Sequence, residues 1–502
     1  MQSCSEVKAR LSKSRFVTGV QCLKRLYFQV YEPELAAEPD EATEAVLNQG
    51  TEVGAIARRA FVGGVTVEAD YDQIDSALET TRQLIADDRI PAIFEAAFLH
   101  KGVMVRVDIL ERLSEDQWRL IEVKSTAGVK DHHLYDVAIQ RHVASGCGIN
   151  VTAACLLHLN RDYVYDGQEY QLRELFKIED LTKEIDDMDL PTLLRRQWQV
   201  LKRDSPPEVG PGPQCQDPVE CEFYDQCHEP LPPGHISELP RLSNAKVSAL
   251  LDNGITLISE VPDDFPLSPL ATRARESVRR GRTWLSADLT QELRRLKYPL
   301  AFMDFETLYP ALPRYAGMRP YDHVPFQWSV YRQESPEAQL EHFEFLATDN
   351  SDPRSQFTES LCRVLKGKGH IVVYNEGFES KRLSELASWL SEYAGQISQI
   401  QHRLWDLLPI VRRNVYHPEF RGSYSIKDVL PALVPRMTYE GMEIADGGQA
   451  AQAWDRIVRG DVGLGEEERL RKALSAYCAQ DTLAMARLLA YLQRECANER
   501  QR

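Results

Sequence analysis

Residues 300–307 read Leu300-Ala301-Phe302-Met303-Asp304-Phe305-Glu306-Thr307, a short apolar run that carries two carboxylates. Along a β-strand the side chains at i and i+2 point to the same face, so Asp304 and Glu306 are expected to aim at one spot. Two like charges held together repel, and a hard divalent cation between them removes the repulsion. A bare Asp-x-Glu is also common at solvated strand ends, so its weight depends on what stands around it.

Working outward, the pattern predicts strands over 299–305, 325–331 and 342–346 as an antiparallel set. A further strand at Ile371–Tyr374 runs into Asn375-Glu376-Gly377-Phe378-Glu379, which puts Glu379 in the first turn of a helix. A long helix is expected over 466–496, and in it Tyr477 and Asp481 stand four apart, on one face. Three acidic segments of this kind would hold two Mg²⁺ or Mn²⁺ ions about 4 Å apart, which activates a water and stabilises the leaving oxygen in phosphodiester cleavage. Tyr477 would orient that water. The structural alternative makes Tyr477 a core residue and Glu379 a charge favoured by the helix dipole.

The order Asp-x-Glu on a strand, Asn-x-x-Phe-acid, then Tyr-x-x-x-Asp resembles the DnaQ-like (DEDD) 3'-5' exonucleases, in the subgroup with a tyrosine in the last motif. The resemblance implies an RNase H-like sheet on which Asp304, Glu306, Glu379 and Asp481 bind two metal ions, with Tyr477 positioning the water. Glu379 departs from the family, which usually has aspartate there. Asp406 resembles a secondary aspartate of these enzymes and is expected to be structural. The segment Gly422-Ser-Tyr-Ser-Ile-Lys427-Asp-Val-Leu-Pro431 resembles an uncharacterised domain found fused to RecB-like nucleases; Lys427 reads as a surface lysine within reach of a phosphate.

Upstream, Asp108 is expected to close the strand 103–108, and Glu122 and Lys124 share a face at the end of the next one, over 117–123. The acid suits a metal and the lysine a phosphate or a nucleophilic water. Asp...Glu-x-Lys on adjacent strands resembles the PD-(D/E)XK nucleases, and Gln140 on the following helix resembles the glutamine of the RecB-like subgroup. That implies a second nuclease site with Asp108 and Glu122 as metal ligands. Gly54 stands where the subgroup has histidine, and Val143 and Ala144 where it has tyrosine. Glu52 is either a replacement ligand or an exposed helix charge.

Four of the ten cysteines form a pattern, Cys22 and then Cys215, Cys221 and Cys227 with five residues between neighbours. Four thiolates complete the ligand set of a [4Fe-4S] cluster, which would staple the first helix to a distant segment. Zn²⁺ is the rival, although it usually shows Cys-x2-Cys pairs. One cysteine upstream and three downstream resembles the iron-sulfur RecB-like nucleases, including the CRISPR-associated exonucleases and the AddB type. Cys4, Cys147, Cys155, Cys362, Cys478 and Cys496 show no ligand spacing, and Cys155 and Cys362 read as core.

With 502 residues, 43% hydrophobic and 27% charged, the chain is expected to fold as two or three globular domains. No apolar run approaches the roughly 18 residues of a membrane span, and the first residues have no apolar signal core, so a cytoplasmic protein is expected. A net charge of −17 argues against coating nucleic acid by bulk charge, and leaves a local basic groove open. The breaker-rich stretches 205–213 and 230–240 suggest seams. The fold class expected is α/β multidomain: a PD-(D/E)XK restriction-endonuclease-like domain over 1–235, a helical connector over 236–296, and an RNase H-like exonuclease domain over 297–502. The connector, with Leu250-Leu251 before Gly254-Ile255, resembles a helix-hairpin-helix. The functional expectation is a metal-dependent nuclease acting on nucleic acid, DNA favoured and RNA open. The rival is a nucleic-acid-binding scaffold with one or both nuclease folds inactive. A redox enzyme lacks a dinucleotide or flavin fingerprint.

Overall fold

The computed structural model describes residues 10–69, 73–228 and 230–499; Cys4 lies outside them. The chain is mixed α/β and divides into two units, Met1–Glu229 with Pro310–Asp322, and Pro230–Tyr309 with His323–Arg502. Among the described residues no helix is long and apolar enough to cross a membrane.

The first unit is built on one sheet of β1 (Leu11–Ser12), β2 (Val65–Thr66), β3 (Ala92–His100), β4 (Val103–Arg112), β5 (Trp118–Val123), β6 (Val151–Leu159) and β7 (Phe176–Asp180). Its order is β2-β3-β4-β5-β6-β7, with β1 beside β4. Lys101 and Gly102 both have positive φ, 47° and 81°, the two-residue turn whose twist matches a hairpin, and they fold β4 back on β3. β5 and β6 are parallel, so their connection must cross over, and the helix Asp131–Gly146 makes the crossing. That crossover lays Gln140 beside the end of β5. Val103, Val105 and Val107 pack in one core cluster and Ile109 in the other, so the alternation breaks at Asp108, across from Glu95 at φ 56°. Asp108 thus lies inside β4 rather than at its end.

In the second unit, β8 (Trp284–Leu285) pairs with β14 (Val415–Tyr416), and the main sheet has β9 (Leu300–Leu308), β10 (Val324–Gln333), β11 (Glu341–Leu346), β12 (Ile371–Val373) and β13 (Leu404–Asp406). The order is β11-β10-β9-β12-β13, antiparallel through β9 and parallel beyond it. The antiparallel set expected from the alternation is therefore present. Met303 and Phe305 on one face of β9 pack with Phe357, Leu361, Leu383 and Ile400 from three helices. Each such side chain, fully buried, contributes about 1.5–3 kcal/mol, so this face is fixed and the opposite one is left for Asp304 and Glu306. Across that opposite face runs the helix Leu464–Glu499, anchored where Gln327 Nε2 donates to Leu474 O at 2.9 Å and Ser329 and Thr482 hydroxyls meet at 2.6 Å.

The stretch 236–296 is part of this second unit. Its helix Pro269–Arg280 is held by Ser277 Oγ on Tyr416 O at 3.2 Å, and Ser286 N donates to Asn414 O at 2.9 Å. The helix Asn244–Asp252 and the Gly254 turn, φ +73°, occur as read. A second helix does not follow directly, because Pro262 and Pro266 interrupt the chain, leaving a single 3-10 turn at Ile258–Glu260.

Candidate metal centre

β9 and the helix Leu464–Glu499 bring Asp304, Glu306 and Asp481 together, with ligand oxygens all within 4.8 Å of one another. Charged pairs at that separation repel by about 3–4 kcal/mol at an effective dielectric constant near 20. Burial first, and then the neighbouring carboxylates, push Asp304 and Glu306 far above the usual range. Burial also raises Asp481, against the opposing hydroxyls of Tyr439 and Tyr477. Glu379, expected as the fourth ligand, is not within that 4.8 Å group; it stands in the first turn of the helix Glu376–Trp389, is 3% exposed and is pushed up to about 9 by burial and by the charge of Asp304. Glu379 Oε2 and Asp481 Oδ1 are buried acceptors with no hydrogen-bond partner. A buried acceptor without a donor is costly, and a cation supplies what is missing. By donor set and by these orphaned oxygens, the site fits hard divalent ions.

Asp406 is the bracket that delivers Glu379. Its Oδ1 accepts from Asn375 N and Leu408 N, each at 3.0 Å, and its Oδ2 from Glu376 N at 3.1 Å. One carboxylate thereby starts two helices and holds Asn375 at φ +98°, a left-handed conformation that asparagine tolerates. Tyr477 is buried, and burial together with Asp481 pushes its phenol upward, so it remains an O–H donor.

Three more residues adjoin this site, of which Tyr439 and Gly447 were not read from the sequence. Lys427, read as a surface lysine, is half-buried with its ammonium 5.5 Å from the Tyr477 ring centre and 5.7 Å from that of Tyr439. Its charge opposes the upward shifts of Asp304, Glu306 and Asp481. Tyr439 has no sequence signal at all. At Gly447 an added Cβ would lie 3.3 Å from Glu306 Oε2, so the start of the helix Gly447–Arg459, capped by Asp446, abuts that carboxylate. Asp446-Gly447-Gly448 is legible as a helix cap, although not as part of a site.

The first unit also gathers its expected residues, Asp108, Glu122, Lys124 and Gln140, but with different electrostatics. Glu122, 1% exposed, receives Lys13 Nζ at 2.9 Å on each oxygen, Lys124 Nζ at 2.8 Å on Oε1 and Gln140 Nε2 at 2.6 Å on Oε2. These donors occupy the roughly four lone-pair positions of a carboxylate. Lys124 also reaches Asp136 Oδ2 at 2.7 Å, and Asp108 Oδ2 accepts from Val123 N at 2.7 Å. Burial acts to raise Glu122, but Lys13 and Lys124 overcome it and hold the group below its usual range. Asp108 is pushed up to about 7 by burial and by Glu122. Asp108 and Glu122, expected as metal ligands, are thus arranged as partners of lysine, with Lys13 Nζ also 4.0 Å from Asp108. In this arrangement they do not fit a divalent ion.

Neither Lys13 nor Asp136 was evident from the sequence, since each is brought in by tertiary contact. Gly54 faces open space, Val143 and Ala144 are buried core, and the acid felt by Asp108 beside Glu122 is Glu95, whereas Glu52 acts on Tyr170.

The four selected cysteines, Cys22, Cys215, Cys221 and Cys227, line one small pocket together with Phe28, Phe223 and Tyr224. Cys22 sits at the break between the helices Lys13–Gln21 and Leu23–Tyr31. Gln21 Nε2 donates to Gln214 O and Val219 O at 2.7 Å, and Arg25 pairs with Glu222 at 2.6 Å, tying this corner to the later segment. All four are free thiols that line this pocket, and among the described residues they do not form a ligand group within 4.8 Å of one another. Cys155 and Cys362 are buried core, as expected, and so are Cys478 and Cys496, while Cys147 is exposed.

Fold and site together define a two-unit α/β protein with one close-set acidic ligand group among its described residues. Residues 301–425 match a family described as "Domain of unknown function (DUF2779)". An uncharacterized protein UU173 of Ureaplasma parvum serovar 3 is 25% identical over 149 residues, 28% of this chain and 22% of the relative. An uncharacterized MG366 homolog of Mycoplasma pneumoniae is 24% identical over 226 residues, 41% of this chain and 34% of the relative. The matched segment spans at most about a third of either curated relative.

Proposed function

We propose that the second unit is a two-metal phosphodiesterase of the DnaQ-like kind on an RNase H-like sheet, removing nucleotides from the 3' end of nucleic acid, DNA by preference. The observation that carries this reading is the convergence of Asp304, Glu306 and Asp481 within 4.8 Å, with buried oxygens of Glu379 and Asp481 left without donors. The strand order, with antiparallel β11-β10-β9 followed by parallel β12 and β13, supports it. Asp304, Glu306, Glu379 and Asp481 would hold Mg²⁺ or Mn²⁺, which when bound activates water and stabilises the leaving oxygen. Tyr477, whose O–H is given to Asp481, would orient the attacking water by accepting from it at the phenol oxygen. In the hydrolysis the water gives up a proton to solvent as its oxygen bonds to phosphorus, the bond from phosphorus to the 3' oxygen breaks, and that oxygen takes up a proton from solvent. Purified protein should shorten labelled single- or double-stranded DNA or RNA from the 3' end with Mg²⁺ or Mn²⁺. Failure to cut any of the four would count against it.

For the first unit, a restriction-endonuclease-like body that binds nucleic acid without cutting is favoured over a second nuclease. The four N–H groups on Glu122 favour it. Cys22, Cys215, Cys221 and Cys227 would hold a [4Fe-4S] cluster there, with Zn²⁺ as the alternative. Anaerobically purified protein should contain about four irons per chain. Zinc in their place would overturn the cluster.

A further inference from the structure

From the placement of Lys427, we infer that it is the phosphate-binding cation of the acidic site in the second unit, donating to a non-bridging oxygen of the phosphodiester to be cut. The inference rests on the nuclease reading of that site and assigns it a substrate contact. The lysine is set in place by a chain of local causes. Tyr374, which follows β12, donates its hydroxyl to Tyr424 O at 2.8 Å, and Ser425 accepts from Lys427 N at 3.3 Å to cap the helix Ile426–Leu433. Lys427 therefore leaves the first turn of a helix tied to the strand that precedes Glu379.

Its ammonium has three donors, and one goes to Ala445 O at 2.5 Å. The rings of Tyr439 and Tyr477 also stand beside it, at 5.7 and 5.5 Å, and attract a cation without using its N–H groups. Lys427 acts on all three clustered carboxylates by charge but forms no ion pair within 4.0 Å among the described salt bridges. In the first unit the opposite holds: Lys13 and Lys124 are spent on Glu122 at 2.9 and 2.8 Å. A lysine held beside metal-ligating carboxylates but off them keeps its charge for the anion the ions attract. A phosphodiester brings that anion, and a lysine binds it as a point charge.

The test uses Lys427→Met and Lys427→Gln of the full chain. Three quantities are read: Mn²⁺ binding, anisotropy of a labelled single-stranded oligodeoxynucleotide in Ca²⁺, and cleavage in Mg²⁺. The inference expects Mn²⁺ affinity within a fewfold of wild type, oligonucleotide affinity reduced by at least about tenfold, and cleavage reduced by about 10²-fold or more. Lys427→Arg, which keeps the charge, should recover part of both. Wild-type oligonucleotide binding and cleavage in Lys427→Met and Lys427→Gln, with Asp304→Asn inactive, would overturn the lysine's role while leaving the nuclease reading standing. A wild-type protein that cuts nothing would overturn both.

Discussion

In the first unit Glu122 is surrounded by Lys13, Lys124 and Gln140, whereas in the second Glu379 and Asp481 each keep a buried oxygen without a donor. Both clusters place acids on adjacent elements of an α/β unit. They differ in where the compensating charge comes from. The first cluster carries its own cations, so it is complete as folded. The second has Lys427 nearby but off the carboxylates, so its repulsion calls for ions from solution. Residue types that read alike along the sequence can therefore build a closed ion-pair network or an open acidic cluster. What decides between them is the position of one or two lysines.

The largest effect expected to sharpen this contrast is on cleavage. Asp304→Asn should lower it by about 10³-fold or more, because an acid shared by the whole ligand group is lost. Substitution of Glu122 should instead strike stability. Glu122→Ala takes from the half-buried Lys13 and Lys124 the carboxylate they share, leaving Asp108 and Asp136 beside them, and chemical unfolding should report a loss of about 3 kcal/mol. An unchanged unfolding midpoint would break the comparison. On the proposed mechanism Tyr477→Phe removes the hydroxyl that would orient the water and that bonds Asp481, and should cost cleavage about 10²-fold with the fold retained, as steady-state kinetics beside a thermal scan would reveal.

The smallest effect is in pH dependence without divalent ions. Glu379 in the fold titrates at about 9, above its ordinary 4.5. Between those values the folded state holds a proton that the unfolded state has lost, so stability falls as pH rises through that window. Melting in EDTA should therefore decline from pH 5 to pH 9, and Mg²⁺ should remove most of the decline. Glu122 has the opposite sign: held below its usual value, it contributes stability above about pH 4.5 that is lost as pH falls.

The period-2 alternation around Asp304 and Glu306 made β9 legible, as did the long apolar repeat for the helix Leu464–Glu499. Spacing also marked Asp481, which does enter the close-set group, and Tyr477 one turn before it, because both lie on one face of a recognisable helix. Gln140, singled out by resemblance, bonds Glu122 at 2.6 Å, and the four cysteines line one pocket. Lys13, Asp136, Lys427 and Tyr439 carry no such periodicity, and each enters its site through contacts made across more than one element. Lys13 reaches Glu122 across 109 positions, a contact that no local pattern encodes. Nor did the sequence indicate that Pro310–Asp322, between β9 and β10, packs with the first unit through Tyr165 N on Met318 O at 2.8 Å and Tyr170 on Pro313 O at 3.1 Å.

Mn²⁺ titration of the wild-type chain, Asp304→Asn and Glu122→Gln, read by electron paramagnetic resonance, tests the comparison at its centre. The account predicts Mn²⁺ binding to the wild-type chain that is lost in Asp304→Asn and retained in Glu122→Gln. Binding that survives Asp304→Asn and disappears in Glu122→Gln would place the ions in the first unit and contradict it.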